Sequence, residues 1–239
     1  KVAEAEKRAK EADLNIVVAG EYMMRFRWTD RTDGEDTDRS DLDLVGLQNE
    51  LIRKVAASGK PTILILVNGR PLGVEWAAEH LPAIVEAWAP GMYAGQAVAE
   101  ILYGKVNPSA KLAITIPRSV GQLQMIYNHK PSQYFHPYAV KPSTPLWPFG
   151  YGLSYTTYKY DDLKLSAKEV SQNQNDEVSV KVTNTGQRDG VEIVQLYIRD
   201  KYSSVTRPVK ELKDFARVAL KAGESKVVTF TITPDKLAF

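Results

Sequence analysis

The spacing of apolar residues changes once along this chain, and that change constrains the fold more than any other feature. Up to about residue 125, short β-branched runs alternate with stretches whose apolar residues recur at helical spacing. Such alternation is typical of a mostly parallel sheet with helices on both faces, which makes a layered α/β domain. The predicted elements are helix 1–12, strand 14–19, helix 45–58, strand 62–67, helix 74–80, strand 83–87, helix 95–103 and strand 112–116.

Beyond Tyr155 the apolar residues recur at every second position, which is the period of a half-buried strand. The pattern predicts an all-β sandwich of the immunoglobulin or fibronectin type. Such a sandwich usually has seven strands in roughly 100 residues, so we expect a last strand after Phe239. The predicted strands are 162–166, 177–184, 191–199, 210–218 and 226–233.

A stretch rich in proline and aromatic residues separates the two patterns. We therefore predict an α/β domain at 1–125, a structured linker at 126–154 and an all-β domain at 155–239. A loop of this length usually packs against another domain or covers a binding site.

The composition excludes several classes of partner and chemistry. The net charge of +2 arises from 31 basic and 29 acidic residues without a basic block, so nucleic acid is not expected as a partner. The chain has no cysteine, which excludes disulfides and thiolate chemistry but leaves the compartment open. No apolar run approaches the roughly 18 residues of a membrane span. The charged helix at the start is not a signal sequence, and a start within a helix indicates a chain cut from a longer one.

Residues 30–43, here called the acid loop, contain seven carboxylates and two arginines. They follow the apolar strand 14–19, for which we predict cover on both faces. A polar loop between a strand and a helix lies at the carboxyl end of the sheet, where open α/β folds bind ligands.

The residues alone allow other interpretations of the acid loop and of two further polar groups. An acidic loop is most often solvated surface. A calcium loop is disfavoured, because neither Asp33 nor Asp36 as first ligand places glycine sixth. The histidines are too scattered for a metal site, and Asn68-Gly69-Arg70 fits a structural role better than a phosphate loop.

A series of ordered motifs resembles the carboxyl-terminal half of glycoside hydrolase family 3, the family of many β-glucosidases and β-xylosidases. The resemblance implies a six-stranded α/β sandwich followed by a fibronectin type III-like domain. In that family a (β/α)8 barrel precedes both and supplies an Asp nucleophile, and no barrel is found in these residues. The matching motifs are 34–44, 59–61, 67–71, 86–91, 103–112, 117–123, 127–131 and 145–156.

The resemblance implies that Glu35 is the general acid/base, because family members place this glutamate four residues before an arginine, here Arg39. A retaining glycosidase needs one carboxyl group that protonates the leaving oxygen and then deprotonates water. The neighbouring Asp33, Asp36 and Asp38 would keep Glu35 protonated by like-charge repulsion. Glu21 is the rival carboxylate, with a structural or substrate-contacting role.

Arg25, Arg27 and Trp28 precede the acid loop and are candidates for the leaving-group side of a sugar site, with docking onto the barrel as an equal alternative. His129 is a further candidate for contact with sugar hydroxyls, and packing explains it equally well. At Gly91-Met92-Tyr93 the chain departs from the acidic turn that many members carry, which leaves the substrate open.

The resemblance implies a retaining exo-acting enzyme for terminal β-glucosides, with β-xylosides next, and a periplasmic or secreted location. It implies an oligosaccharide or β-glycoside substrate and a barrel in the same or another chain. A homodimer is compatible with it. No cofactor and no metal are expected. The alternative is a non-catalytic carbohydrate-binding or scaffold protein built from the same domains.

Overall fold

The computed structural model describes residues 1–22, 31–122, 125–131, 138–171 and 173–238. No helix among these residues is long and apolar enough to cross a membrane. The chain divides into two units. Unit 1 comprises Lys1–Val98, Ile114–Met125 and Tyr138–Pro148, and unit 2 comprises Ala99–Ala113, Ile126–Pro137 and Phe149–Phe239.

Unit 1 contains a parallel sheet of three strands in the order β1-β2-β3, as the alternating pattern predicts. Each strand is separated from the next by a helix, so that the carboxyl ends of all three strands meet at one edge. Helix α4 follows β3, and its residues from Ala99 onward belong to unit 2. The elements are α1 (Val2–Glu11), β1 (Asn15–Gly20), α2 (Gln48–Ala56), β2 (Thr62–Val67), α3 (Glu75–His80), β3 (Ala83–Glu86) and α4 (Ala94–Leu102).

The core of unit 1 lies between the sheet and the helices α1 and α2. Ala9 of α1 and Ile52 and Val55 of α2 are buried in one cluster with alternate residues of the strands. Burial of these apolar side chains is the main force that holds helices on a sheet. The strand residues in the cluster are Val17, Ala19, Leu64 and Leu66.

Two predictions for this unit are wrong. Strand β1 is not covered on both faces, because α1 and α2 pack on the face of Val17, while Ile16 is 49% and Val18 is 63% exposed. Helix α2 begins at Gln48 rather than at 45, because Gly46 has φ +64° and that left-handed conformation cannot continue a helix.

The predicted strand at 112–116 is also wrong. Leu112 exchanges backbone hydrogen bonds with Gly150 and Tyr151, and Ile116 forms an isolated bridge with Trp147. The apolar run is therefore paired with a loop, and it belongs to no sheet.

Unit 2 contains the five predicted strands in two antiparallel sheets, with the orders β4-β5-β8 and β6-β7. The apolar residues that alternate along β5 to β8 form its core, which includes Val178, Val182, Val194, Leu220, Val228 and Phe230. The predicted fold class, an α/β layer followed by an all-β sandwich, is thus confirmed. The elements are β4 (Tyr158–Leu165), β5 (Asp176–Asn184), β6 (Gly190–Ile198), β7 (Glu211–Leu220), β8 (Ser225–Ile232) and α5 (Pro234–Leu237).

Part of the aromatic segment is ordered against unit 2. Tyr127 stacks on Phe149 with 4.2 Å between ring centroids, and its hydroxyl accepts a hydrogen bond from the backbone N–H of Leu212. The boundaries at residues 125 and 154 stay a prediction.

Candidate active site

The carboxyl ends of β1, β2 and β3 bring three groups of polar residues to one edge of unit 1. Glu21 and the acid loop follow β1, Asn68 and Arg70 follow β2, and Glu86 ends β3. This is the edge where open parallel sheets bind ligands.

Glu21 is the buried anchor of this edge. Its side chain is 0% exposed, and its carboxylate lies 3.1 Å from Nη1 of Arg39 and 3.2 Å from Nε of Arg70. Its backbone N–H donates to the carbonyl oxygen of Val67 at 2.9 Å, which continues the pairing of β1 with β2. A buried carboxylate needs such partners, because an unpaired buried charge is strongly destabilising.

The two arginines paired with Glu21 hold the acid loop at both ends. Nη2 of Arg70 donates to Asp33 Oδ1 at 3.1 Å and to the carbonyl oxygen of Thr37 at 2.9 Å. Nη2 of Arg39 donates to Asp41 Oδ1 at 2.6 Å and to the carbonyl oxygen of Asp43 at 2.7 Å. The Asp33 carboxylate packs directly against the backbone of Gly69, so that a Cβ at residue 69 would overlap it. Hydrogen bonds from two largely buried arginines therefore fix the backbone and side chains of the loop at several points.

Glu35 lies between these two fixed ends, on an exposed turn. The N–H of Thr37 donates to the carbonyl oxygen of Gly34 at 3.2 Å, which closes the turn around Glu35 and Asp36. Gly34 has φ +104° and Asp36 has φ +58°, so the turn depends on residues that tolerate left-handed backbone. The Glu35 side chain thus projects from a defined backbone.

The six carboxylates of the acid loop that the structure describes, from Asp33 to Asp43, are not equivalent. Asp33 and Asp41 are paired with arginines, as expected for part of the group. The charge of Asp33 is compensated by Arg70, while Asp36 and Asp38 are exposed.

The remaining sequence candidates differ in what the structure says of them. Arg25, Arg27 and Trp28 lie outside the described residues. His129 belongs to unit 2, where its Nδ1 donates to the carbonyl oxygen of Lys130 at 2.8 Å and its own carbonyl oxygen accepts from Val209 N–H at 3.0 Å.

Sequence reasoning missed Glu86. Burial raises the pKa of this carboxyl group to about 7, although the N–H of Trp88 and the Asn68 amide donate to it. The one sequence signal is a glutamate that ends an otherwise apolar strand. Such shifted groups cluster at functional sites. No group of three or more His, Cys, Asp or Glu in the described part of the chain is arranged to hold a metal ion.

A cavity of about 260 Å³ in unit 1 is lined by Asp43, the last residue of the acid loop, and by a group of paired charges. Glu75, in its wall, pairs with Arg118 at 3.2 Å and with Lys141. The Trp76 ring is stacked on His80 and lies under Arg53, so the aromatic surface is already occupied. Glu35 does not line this cavity.

Comparison with known proteins identifies both parts of the chain. The glycosyl hydrolase family 3 C-terminal domain matches residues 1–155, and the fibronectin type III-like domain matches residues 192–239. A β-xylosidase of Formosa agariphila is 45% identical over 98% of this chain and 32% of its own length. The periplasmic β-glucosidase of Salmonella typhimurium is 40% identical over 100% of this chain and 32% of its own length.

Solved structures agree with these relatives. A β-glucosidase of Erythrobacter marinus matches with a TM-score of 0.92 and 43% identity, over 98% of this chain and 31% of that one. A Listeria innocua β-glucosidase solved in complex with glucose matches with a TM-score of 0.88 and 34% identity, over 98% and 33%. The chain spans about a third of the length of the curated relatives it matches. Since the family match covers well over half of its residues, this chain belongs to glycoside hydrolase family 3.

Proposed function

We propose that this chain supplies the general acid/base, Glu35, of a retaining exo-acting β-glycosidase whose Asp nucleophile lies on a barrel outside this sequence. The names of the relatives support a β-glucoside or β-xyloside as substrate. We favour terminal β-glucosides, since all the solved neighbours named above are β-glucosidases.

The observation that carries the proposal is that Glu35 is exposed on a turn whose flanking residues are fixed by arginines. Asp36 and Asp38 are exposed on the same loop, and the family resemblance selects Glu35 among these three. Glu21, Asp33 and Asp41 are instead paired with arginines. A general acid must reach the glycosidic oxygen of a bound substrate and must be held in place when it does so. Glu35 combines an accessible carboxyl group with a loop that is fixed on both sides.

In the first step Glu35 gives its proton to the glycosidic oxygen while the bond from that oxygen to the anomeric carbon breaks. The nucleophile forms a bond to the same carbon, and the aglycone leaves as an alcohol. In the second step the Glu35 carboxylate takes a proton from water, whose oxygen displaces the nucleophile and releases the sugar.

The same proposal assigns the leaving-group side of the site to Arg25, Arg27 and Trp28, whose side chains suit contacts with sugar hydroxyls and ring faces. Glu21 supports the acid loop through its two arginines, and His129 has hydrogen-bond partners within its own unit. A direct contact of Glu21 or His129 with substrate stays a prediction.

The test uses a polypeptide that joins this chain to its barrel, with Glu35→Ala compared with Asp36→Asn. Loss of general acid catalysis typically lowers the rate about 10² to 10⁴-fold. We expect a loss of this size with alkyl glycosides and a much smaller one with activated aryl glycosides, whose leaving groups need no proton. Azide should restore turnover of the aryl substrates through a glycosyl azide product.

Asp36→Asn keeps the Glu35 carboxyl group and a residue that tolerates φ +58°, so any loss on alkyl glycosides should be far smaller than with Glu35→Ala. An equal loss on the two substrate classes with Glu35→Ala would exclude Glu35 as the acid.

A further inference from the structure

Glu86 joins the end of β3 to the end of β2 through its carboxyl group. Oε1 accepts the Trp88 N–H at 3.1 Å, and Oε2 lies 3.5 Å from Nδ2 of Asn68. The Asn68 N–H in turn donates to the carbonyl oxygen of Trp88 at 3.1 Å. Trp88 has φ +53°, a conformation that a bulky residue adopts only when its surroundings impose it.

Asn68 passes this constraint to Arg70. Its Nδ2 donates to the carbonyl oxygen of Arg70 at 2.8 Å, and the residue is fully buried. Its Oδ1 has no hydrogen-bond partner within the described part of the chain. A buried amide with an unsatisfied oxygen is costly, so stability alone does not explain why asparagine stands here. Its amide group instead determines where the backbone of Arg70 lies.

The guanidinium group of Arg70 holds Asp33 and Thr37, on either side of the turn that carries Glu35. We propose that Glu86 is a positioning residue for Glu35, acting through Asn68 and Arg70 on the acid loop. This inference rests on the proposed function, and it adds a residue that touches no reacting atom.

The surroundings of Glu86 make its influence depend on pH. Among the described residues its carboxyl group has no ion pair, and the partners that face it are the Trp88 N–H and the neutral Asn68 amide. The nearest cation in the sequence, Arg70, directs its guanidinium group to Glu21 and Asp33. Burial raises the Glu86 pKa to about 7, and a carboxylate accepts both hydrogen bonds more strongly than a carboxylic acid does.

The experiment compares kcat for an alkyl β-glucoside between wild type and Glu86→Gln, in the polypeptide that includes the barrel. Glutamine resembles the protonated acid at every pH. We expect nearly equal kcat values at pH 6 and a roughly 10-fold deficit of the variant at pH 8, the scale of a small misplacement of a catalytic group. The two proteins differ only at residue 86, so the ratio of their kcat values at each pH reports the effect of Glu86. Glu79→Gln, at an exposed glutamate of α3, is the matched control and should keep a ratio near one.

The same comparison in a Glu35→Ala background separates this inference from the proposed function. If Glu86 acts through Glu35, Glu86→Gln should cost nothing further there, because effects on one catalytic unit are not additive. An equal loss in both backgrounds, or a ratio that does not change with pH, would overturn the inference and leave the role of Glu35 intact. If Glu35→Ala itself shows no dependence on the leaving group, both fail.

Should Glu86→Gln not fold, Asn68→Ser tests the same link, since it removes the amide that holds Arg70. It should lower kcat in the presence of Glu35 and not in its absence. A loss that is the same with and without Glu35 would overturn the inference.

Discussion

The buried carboxyl group of Glu86 gives a quantitative prediction for the pH dependence of stability. Burial raises its pKa in the folded chain from the ordinary 4.5 to about 7. Between these two values the folded state keeps the proton and the unfolded state has lost it. The stability that Glu86 contributes is therefore complete below pH 4.5 and is lost as the pH rises through 7.

The magnitude follows from the difference between the two pKa values. Each pH unit in this window is equivalent to about 1.4 kcal/mol, so the full difference corresponds to about 3 kcal/mol. The carboxyl group keeps some contact with solvent, which places the expected effect at about 1 to 3 kcal/mol. Residue 86 cannot ionise in Glu86→Gln. The unfolding free energy of this variant, relative to that of the wild type, should therefore increase by this amount between pH 4.5 and pH 8.

The assay is urea unfolding of the 239-residue chain and of Glu86→Gln, followed by tryptophan fluorescence at several pH values. The tryptophans that the structure describes, Trp76, Trp88 and Trp147, lie within unit 1, the unit that contains Glu86, so their signal reports that unit. Comparison of the two proteins at each pH cancels every other titrating group. A difference in unfolding free energy that stays constant from pH 4.5 to pH 8 would refute an uncharged, buried Glu86.

Two further predictions concern the acid loop. Arg70→Met removes one of the two cations that face the buried Glu21 and should cost about 3 kcal/mol of unit 1 stability, measured by the same fluorescence assay; a cost below about 1 kcal/mol would mean that solvent replaces the pair. Gly69→Ala places a methyl group where the Asp33 carboxylate now lies, so it should lower kcat with little change in KM. Gly95→Ala, at a helical glycine with open space around it, is the control. Equal activity of the two variants would contradict the packing of Asp33 against Gly69.

Much of unit 1 follows from periodicity alone. Strand β2 has the predicted bounds of 62–67, because a run of β-branched and leucine residues between turn signals allows few alternatives. The order of helices and strands then requires a parallel sheet, and a parallel sheet brings the polar loops to one edge. The position of the acid loop is thus a consequence of the sequence pattern and of connection rules.

The errors arise where a local pattern depends on a distant partner. The apolar residues of 14–19 do not show whether one or both faces of the strand are covered. The apolar residues of 112–116 do not show that their backbone groups pair with a loop and not with a strand. The pKa of Glu86 depends on its burial, which is set by the tertiary structure and cannot be seen from the neighbouring residues in the sequence. Periodicity also does not show the left-handed backbone of Gly46 that delays α2.

The role of Glu35 shows the same division between sequence and structure. In the sequence, seven carboxylates of the acid loop look alike, and only the family resemblance selects one of them. In the structure, arginines hold Asp33 and Asp41, while Glu35 is exposed on the turn between them. The structure therefore sets aside the two paired carboxylates, while Asp36 and Asp38 are exposed like Glu35, so the selection of Glu35 still rests on the family resemblance and stays a proposal.

At this edge of the sheet, the residues whose burial lowers stability are not the residue that is proposed to react. Glu21 and Asn68 bury polar or ionisable groups, and Glu86 buries most of one, although such burial is unfavourable. Glu21 and Asn68 both contact Arg70, whose guanidinium group fixes the acid loop. Apolar replacements at such positions are often neutral or stabilising when a whole buried pair is exchanged. If the proposed function holds, variants of Glu86 should therefore be able to gain stability at alkaline pH and lose activity at that same pH. Opposite signs of these two effects in one variant would distinguish a group retained to position the catalytic loop from one retained for stability.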